Sequence, residues 1–231
     1  MFKQMVLATL VVAGAALAQE RDRPPIPVIQ TSAEGVASAR PDRAIIDLGV
    51  VTQAPTALAA ATQNANQSAQ VVAQLKKALP AGTQIQTTGY SLNPSYKNAP
   101  NQAPTISGYM ASNIVRLTID DMDSVSKAID TATKMGANNI NSLQFTIKDE
   151  QSLKVEALQQ ATKRATSSAQ AMAVALGVKL GRVIKVEEGG APPVRPMMMA
   201  MAMKAADTAT PVEAGSVEVR ASVTLTMEIL Q

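Results

Sequence analysis

Residues 216–229 alternate without a break. Val217, Val219, Ala221, Val223, Leu225, Met227 and Ile229 are apolar, and Glu218, Arg220, Ser222, Thr224, Thr226 and Glu228 between them are polar. Successive side chains of a strand project to opposite faces, so this period of two requires a strand with one buried and one solvated face. Such a strand belongs in an antiparallel sheet covered on one side, and an apolar layer must do the covering. Two long segments with helical periodicity supply it. Pro55 is suited to a first helical turn and opens a helix that runs to about Leu79. Its apolar face is Leu58, Ala61, Ala65, Val72, Leu75 and Leu79, with Asn and Gln opposite, and Pro80-Ala81-Gly82 ends it. A second helix over 151–176 carries Leu153, Ala157, Leu158, Ala161, Ala165, Ala169, Met172 and Leu176 on one face and ends at Gly177.

Shorter signals fill the intervals. Residues 28–40 read as an edge strand that bends at Gly35, and 43–52 as a strand with Ile46, Leu48 and Val50 opposite Asp47. Residues 84–92 and 106–119 form a long hairpin, divided by Asn93-Pro94 and a Pro- and Asn-rich tip. In its second arm Val115, Leu117 and Ile119 oppose Arg116 and Thr118. A short helix over 122–135 starts behind Asp121 as N-cap and stops at Gly136. Strands at 140–148 and 178–187 complete the set. The order strand, long helix, strand, strand then occurs twice, which makes duplication of one unit a reading to test. The fold expected is α+β and two-layer, a mostly antiparallel sheet with two long helices and one short helix.

The first residues address the chain. One Lys and no acid precede an almost wholly apolar run from Met5 that closes on Ala16-Leu17-Ala18, the pattern of a cleaved secretory signal peptide over 1–18. The run is too short to span a bilayer of about 30 Å, and polar residues follow at once. We therefore expect no stable membrane span after cleavage, a flexible leader at 19–27, and one domain over 28–231 with a low-complexity Pro/Met-rich loop at 189–211.

Composition narrows the chemistry. The chain has no Cys and no His, which removes disulfides, His-dependent nucleophile triads and ordinary zinc sites. Its net charge of +3 is spread without a basic stripe, so no nucleic-acid partner is expected. Only Tyr90, Tyr96, Tyr109 and Phe145 are aromatic after residue 18, too few for an ordinary ligand pocket. No cofactor and no enzyme activity are expected.

Several phrases carry a family likeness. They are Glu34-Gly35 with Ala39-Arg40-Pro41-Asp42, Thr88-Gly89-Tyr90-Ser91-Leu92-Asn93-Pro94, and Gly108-Tyr109 with Ala111-Ser112-Asn113. Gly136-Ala137-Asn138-Asn139-Ile140-Asn141, Ala175-Leu176-Gly177-Val178-Lys179-Leu180-Gly181 and Glu187-Glu188-Gly189-Gly190 continue the series in order. Together they resemble the SIMPL-domain family of bacterial exported proteins, which includes periplasmic immunogenic proteins. The resemblance implies a periplasmic or envelope-associated α+β protein that self-associates, and it brings no catalytic residues.

Four local features are candidates for a site. Asp120, Asp121 and Asp123 cluster before the short helix but lack the Gly and Glu spacing of a calcium loop, and capping accounts for them. Glu187-Glu188 could pair as acid and base, although a solvated strand end explains them as well. Tyr90, Tyr96 and Tyr109 concentrate in the hairpin and are candidates for an interface, cross-strand packing being the alternative. The run Met197 to Met203 offers three readings. Met199, Met201 and Met203 as soft thioether ligands for Cu(I) form one; Met197 and Met198 in an adaptable contact form another; a plain low-complexity insertion is the third.

The function expected is an exported, non-enzymatic protein of the periplasm, free or associated with the outer membrane. It would form a homo-oligomer with a structural or stress-related role in the cell envelope, oxidative stress included. The rival is a binding module for an extended peptide or envelope component along the hairpin edge. A further alternative is an enzyme with a carboxylate or Lys site.

Overall fold

The computed structural model describes residues 26–98, 100, 103–189, 195–197 and 213–230, with backbone only at 195–197. The expected signal peptide and most of the leader lie outside the described residues, as do Met198, Met199, Met201 and Met203. The elements in chain order are β1 (Val28–Ala39), β2 (Arg43–Ala54), α1 (Ala57–Ala78), β3 (Gln84–Lys97), β4 (Thr105–Ile119) and α2 (Ser124–Lys134). They continue with β5 (Asn139–Thr146), α3 (Glu150–Leu176), β6 (Lys179–Gly189), β7 (Arg195–Met197) and β8 (Ser216–Leu230).

The fold is α+β, antiparallel, with two long helices and one short one, and its strands divide between two sheets. One sheet runs β3-β4-β2-β5 and carries α1 and α2; the other runs β1-β8-β6 and carries α3. β7 also pairs with β8, where Val217 has Ala39 on one side and Pro196 on the other, so β7 lies on the edge that β6 occupies further along. A short strand thus sits inside the segment whose composition reads as loop. Pro196 is tolerated there because an outer strand needs only half of its backbone groups for pairing.

The repeated order of elements does not map onto the two sheets. β5, which would head the second unit, pairs with β2, and β1 takes the place beside β8. The chain therefore crosses between sheets twice, at Arg40-Pro41-Asp42 and at Ile147-Lys148-Asp149. Periodicity identifies strands without saying which partner each one takes.

α1 meets its sheet through a mixed face, and α3 through a stripe of alanines. α1 buries Ala60, Asn64, Ser68, Val71 and Leu75, a face rotated from the expected stripe, and Leu58 is 79% exposed. Polar pairing decides the rotation. Asn64 Nδ2 donates to Val50 O at 2.7 Å and to Ala111 O at 3.1 Å, Ser68 Oγ donates to Asn64 Oδ1 at 3.4 Å, and Thr52 Oγ1 donates to Ala60 O at 2.9 Å. An amide so satisfied loses the usual burial penalty. Thr56, not Pro55, starts the helix, its side chain accepting from Ala59 N.

α3 buries Leu153 and then Ala157, Ala161, Ala165, Ala169 and Ala173, one at every fourth residue, while Met172 and Leu176 stay exposed. A Cβ on Gly35 of β1 would overlap the Ala157 carbonyl oxygen and lie 2.6 Å from Ala161 N. The helix rests on β1 almost backbone to backbone, and Thr31 Oγ1 donates to Ala165 O at 2.9 Å. Gly177 ends α3 in the left-handed region, φ 68°. The larger core belongs to the other half, where Ile46, Leu48, Val50, Val115, Leu117 and Ile119 meet Val71 and Leu75 of α1 and Val125 and Ile129 of α2.

These assignments predict opposite outcomes for two leucines of one helix. Leu75→Ala lowers stability in urea denaturation by about 2–5 kcal/mol, and Leu58→Ala stays within about 0.5 kcal/mol of the parent. Gly35→Val forces α3 off β1 and costs about 1–3 kcal/mol or more.

Candidate functional site

The hairpin is the first candidate, and the structure redraws it. β3 continues through Asn93-Pro94 to Lys97, with Pro94 opposite Tyr109, so the expected break at Asn93-Pro94 is absent. The register slips instead between Thr87 and Gly89 and between Ser95 and Tyr96. β3 is an outer strand, exposed along both faces for most of its length, and the pairing to β4 absorbs the proline. Tyr90 is 55% and Tyr96 58% exposed, beside exposed Leu92 and Ile106. Tyr109 behaves differently. It is half-buried and packs on Ala54, Ala60 and Ala111 at the start of α1, a packing role rather than an interface one. Next to Tyr90 in the register, Asn113 holds a buried Oδ1 that has no hydrogen-bond partner.

The other candidates do not converge. Asp120 binds Arg43 Nε at 2.8 Å and Lys148 Nζ at 3.1 Å, whereas Asp121 accepts from Ser124 Oγ at 2.6 Å. Asp123 occupies the N-cap of α2 without a side-chain cap bond, so Asp121 does the capping from two residues further back. Glu187 pairs with Lys185 within β6 and Glu188 with Lys154 of α3, each at 2.7 Å. Met197 pairs its backbone with Ser216. Among the described residues, no group of three His, Cys, Asp or Glu could hold a metal.

Two arrangements matter that periodicity did not reveal. The first ties the crossings between sheets. Asp42 N donates to Thr146 O at 3.2 Å, and Asp42 Oδ1 accepts from Lys148 N at 2.8 Å, so one residue of the first crossing holds the second. The Arg43–Asp120–Lys148 ion pairs and Thr146 Oγ1, which donates to Glu150 Oε1 at 2.8 Å, surround it. The Ala39-Arg40-Pro41-Asp42 phrase was the available signal. The phrase at Gly136 is structural in the same way. Gly136 has φ 104°, and Asn138 closes onto β2 with Val51 N donating to its Oδ1 and its Nδ2 donating to Val51 O.

The second arrangement is an ion pair on the face of β2 away from α1. Arg116 binds Asp47 through Nε at 2.7 Å and Nη2 at 2.8 Å, and Ser142 Oγ donates to the same carboxylate at 3.1 Å. The Arg116 hydrogen bonds, ahead of that from Ser142, hold the Asp47 carboxyl below its usual range. Arg43 and Lys148 lower Asp120 in the same direction.

An open groove of about 820 Å³ lies between β1 and α3, lined by Ala33, Glu34, Gln160, Lys163, Arg164 and two serines, Ser167 and Ser168. Arg164 Nη1 crosses it to donate to Glu34 O at 2.9 Å.

The Asp47 geometry predicts an acid-sensitive contribution. Its folded pKa lies below the unfolded value, so the stability it adds is complete above the usual carboxylate range, about 3.9. That stability is lost as pH falls through the lower folded value. Asp47→Asn removes it at neutral pH, by about 1 kcal/mol or less because Arg116 is well exposed. The variant's urea midpoint should then fall less than the parent's between pH 7 and about pH 3.

Residues 29–227 match the model of the SIMPL family, described as a protein of unknown function (DUF541). The chain is similar to the 26 kDa periplasmic immunogenic protein of Brucella melitensis, 32% identical over 238 aligned positions covering 96% of this chain and 94% of that protein. It is also similar to the uncharacterized protein YggE of Escherichia coli K12, 28% identical over 185 positions covering 80% of this chain and 75% of that protein. A match running from β1 into β8 spans both sheets and both crossings, and the chain belongs to the SIMPL family.

Proposed function

We propose that this chain is an exported, non-enzymatic protein of the periplasm that self-assembles and serves a structural or stress-related role in the cell envelope. The observation that carries assembly is the hairpin, which displays Tyr90, Leu92 and Tyr96 of the outer strand β3, and Ile106 of β4 opposite Tyr96, to solvent. Large apolar side chains gathered on one projection mark contact surfaces, and Tyr is favoured in them. The periplasmic address is supported by the apolar run ending in Ala16-Leu17-Ala18 and by the name of the Brucella relatives. No helix among the described residues is long and apolar enough to cross a membrane. The non-enzymatic reading is supported by the absence of His and Cys from the sequence. It is supported too by Asp47 and Asp120, which ion pairs hold toward the ionised form and away from general-acid work.

Strand addition at the hairpin is the weaker alternative. β3 breaks register twice and carries Pro94, features that blunt an edge against pairing. Association through its exposed side chains needs no free edge.

The reading predicts that the exported protein begins at Gln19 by intact mass and is oligomeric at micromolar concentration by light scattering after size exclusion. Tyr90→Ser with Tyr96→Ser, and separately deletion of residues 98–103, should lower that mass. A monomeric parent refutes assembly; an oligomer indifferent to both changes places the contact elsewhere.

A further inference from the structure

A second surface stands apart from the hairpin. The two sheets have four long outer strands, β3 and β5 in one and β1 and β6 in the other. Register slips interrupt the pairing of β3, β5 and β6 with their neighbours. β1 pairs with β8 without interruption from Val28 to Ala39. Bulges, Lys and Pro are the usual protection of an edge, and β1 contains none of the three.

The atoms on that edge follow from the ladder. Ile229 N donates to Pro27 O, so odd-numbered residues of β1 turn their backbone groups toward β8, and even-numbered ones turn theirs away. Gln30, Ser32, Glu34, Val36 and Ser38 therefore present N–H and C=O outward. Among the described residues no strand pairs on that side, and Arg164 covers only the Glu34 carbonyl.

The groove described above borders this edge. A strand added beside β1, about 4.8 Å away, would lie under the flank of α3 that carries Gln160, Lys163, Arg164 and Ser167. Lys163 has no carboxylate partner among the described residues, and Arg164 meets a carbonyl rather than an acid. We propose that the β1 edge is a docking site for an extended acidic peptide segment, its backbone pairing with the even-numbered residues of β1 and its alternate carboxylates meeting Lys163 and Arg164. Arg164 would leave Glu34 O to reach the ligand, freeing that carbonyl for the ladder. A second copy of β1 fits less well, because its helix-side residues Ile29, Thr31, Ala33, Gly35 and Ala37 include no acid. The site is separate from the hairpin and stands whether or not the hairpin associates.

The test uses the mature chain and a labelled, capped nine-residue peptide of alternating Glu and Thr, with a Lys and Thr peptide as comparator. Fluorescence anisotropy should show binding of the Glu peptide only, weakening as salt is raised. Hydrogen exchange should show slowed amides at 30, 32, 36 and 38. Lys163→Glu with Arg164→Glu should weaken binding by about tenfold or more, roughly 1.4 kcal/mol. Gln30→Pro, which removes one outward N–H, should weaken it as well; if that variant fails to fold, the charge pair decides. Equal binding of both peptides, or no slowing in β1, overturns the proposal. Slow edge amides without peptide overturn it too. Dependence on protein concentration would then assign the edge to a second copy, and independence to the chain's own leader.

Discussion

Gly35 sets the distance on which one half of this molecule depends. A side chain there would occupy the same space as the Ala157 carbonyl and crowd Ala161 N, so β1 and α3 meet with backbone near backbone. That proximity suits a core of alanines, because a stripe with little volume per residue fills its interface only if the layers approach closely. Thr31 then reaches the Ala165 carbonyl, and Thr52 makes the same kind of bond to Ala60 in the other half. With no Cys to cross-link the chain, stability rests on approach and hydrogen bonding as much as on bulk. Large aliphatic packing is concentrated around α1 and α2.

The halves are joined by exchange as well as by sequence. β1 belongs to the sheet of β8, although its neighbour β2 belongs to the other sheet, and β5 returns the chain to β2 before α3 leaves it. Asp42 of the first crossing also holds the second, its backbone N–H and carboxylate meeting the end of β5 and the residue before the N-cap of α3. Pro41 is buried beside it, fixing one dihedral where the path must turn. Opening this tie would loosen two connections at once, and the Arg43–Asp120–Lys148 ion pairs reinforce it.

How much of this was readable in the chain differs by element. β8, β2 and β4 were legible because each has one buried face, and Ile46, Leu48, Val115 and Leu117 fall where alternation places them. The helices were legible in extent and less so in rotation. Apolarity selected Leu58 and Met172, but hydrogen bonding by Asn64 and close approach by alanine selected the faces observed. Strand pairing was not legible, since β1 and β5 exchange sheets without a local signal. Nor was β7, three residues inside a segment whose composition points to irregular structure. The Tyr cluster was visible as composition, and only packing separated Tyr109 from Tyr90 and Tyr96.

The surfaces of interest lie on strand edges. An edge is defined by what fails to pair with it, which no stretch of residues states about itself. The family phrases mostly describe internal fits: Gly35 against α3, Asn138 clasping β2, and Asp42 at the crossing. Among the described residues, backbone and charge remain unanswered on the outer side of β1, and large side chains stand exposed on the hairpin.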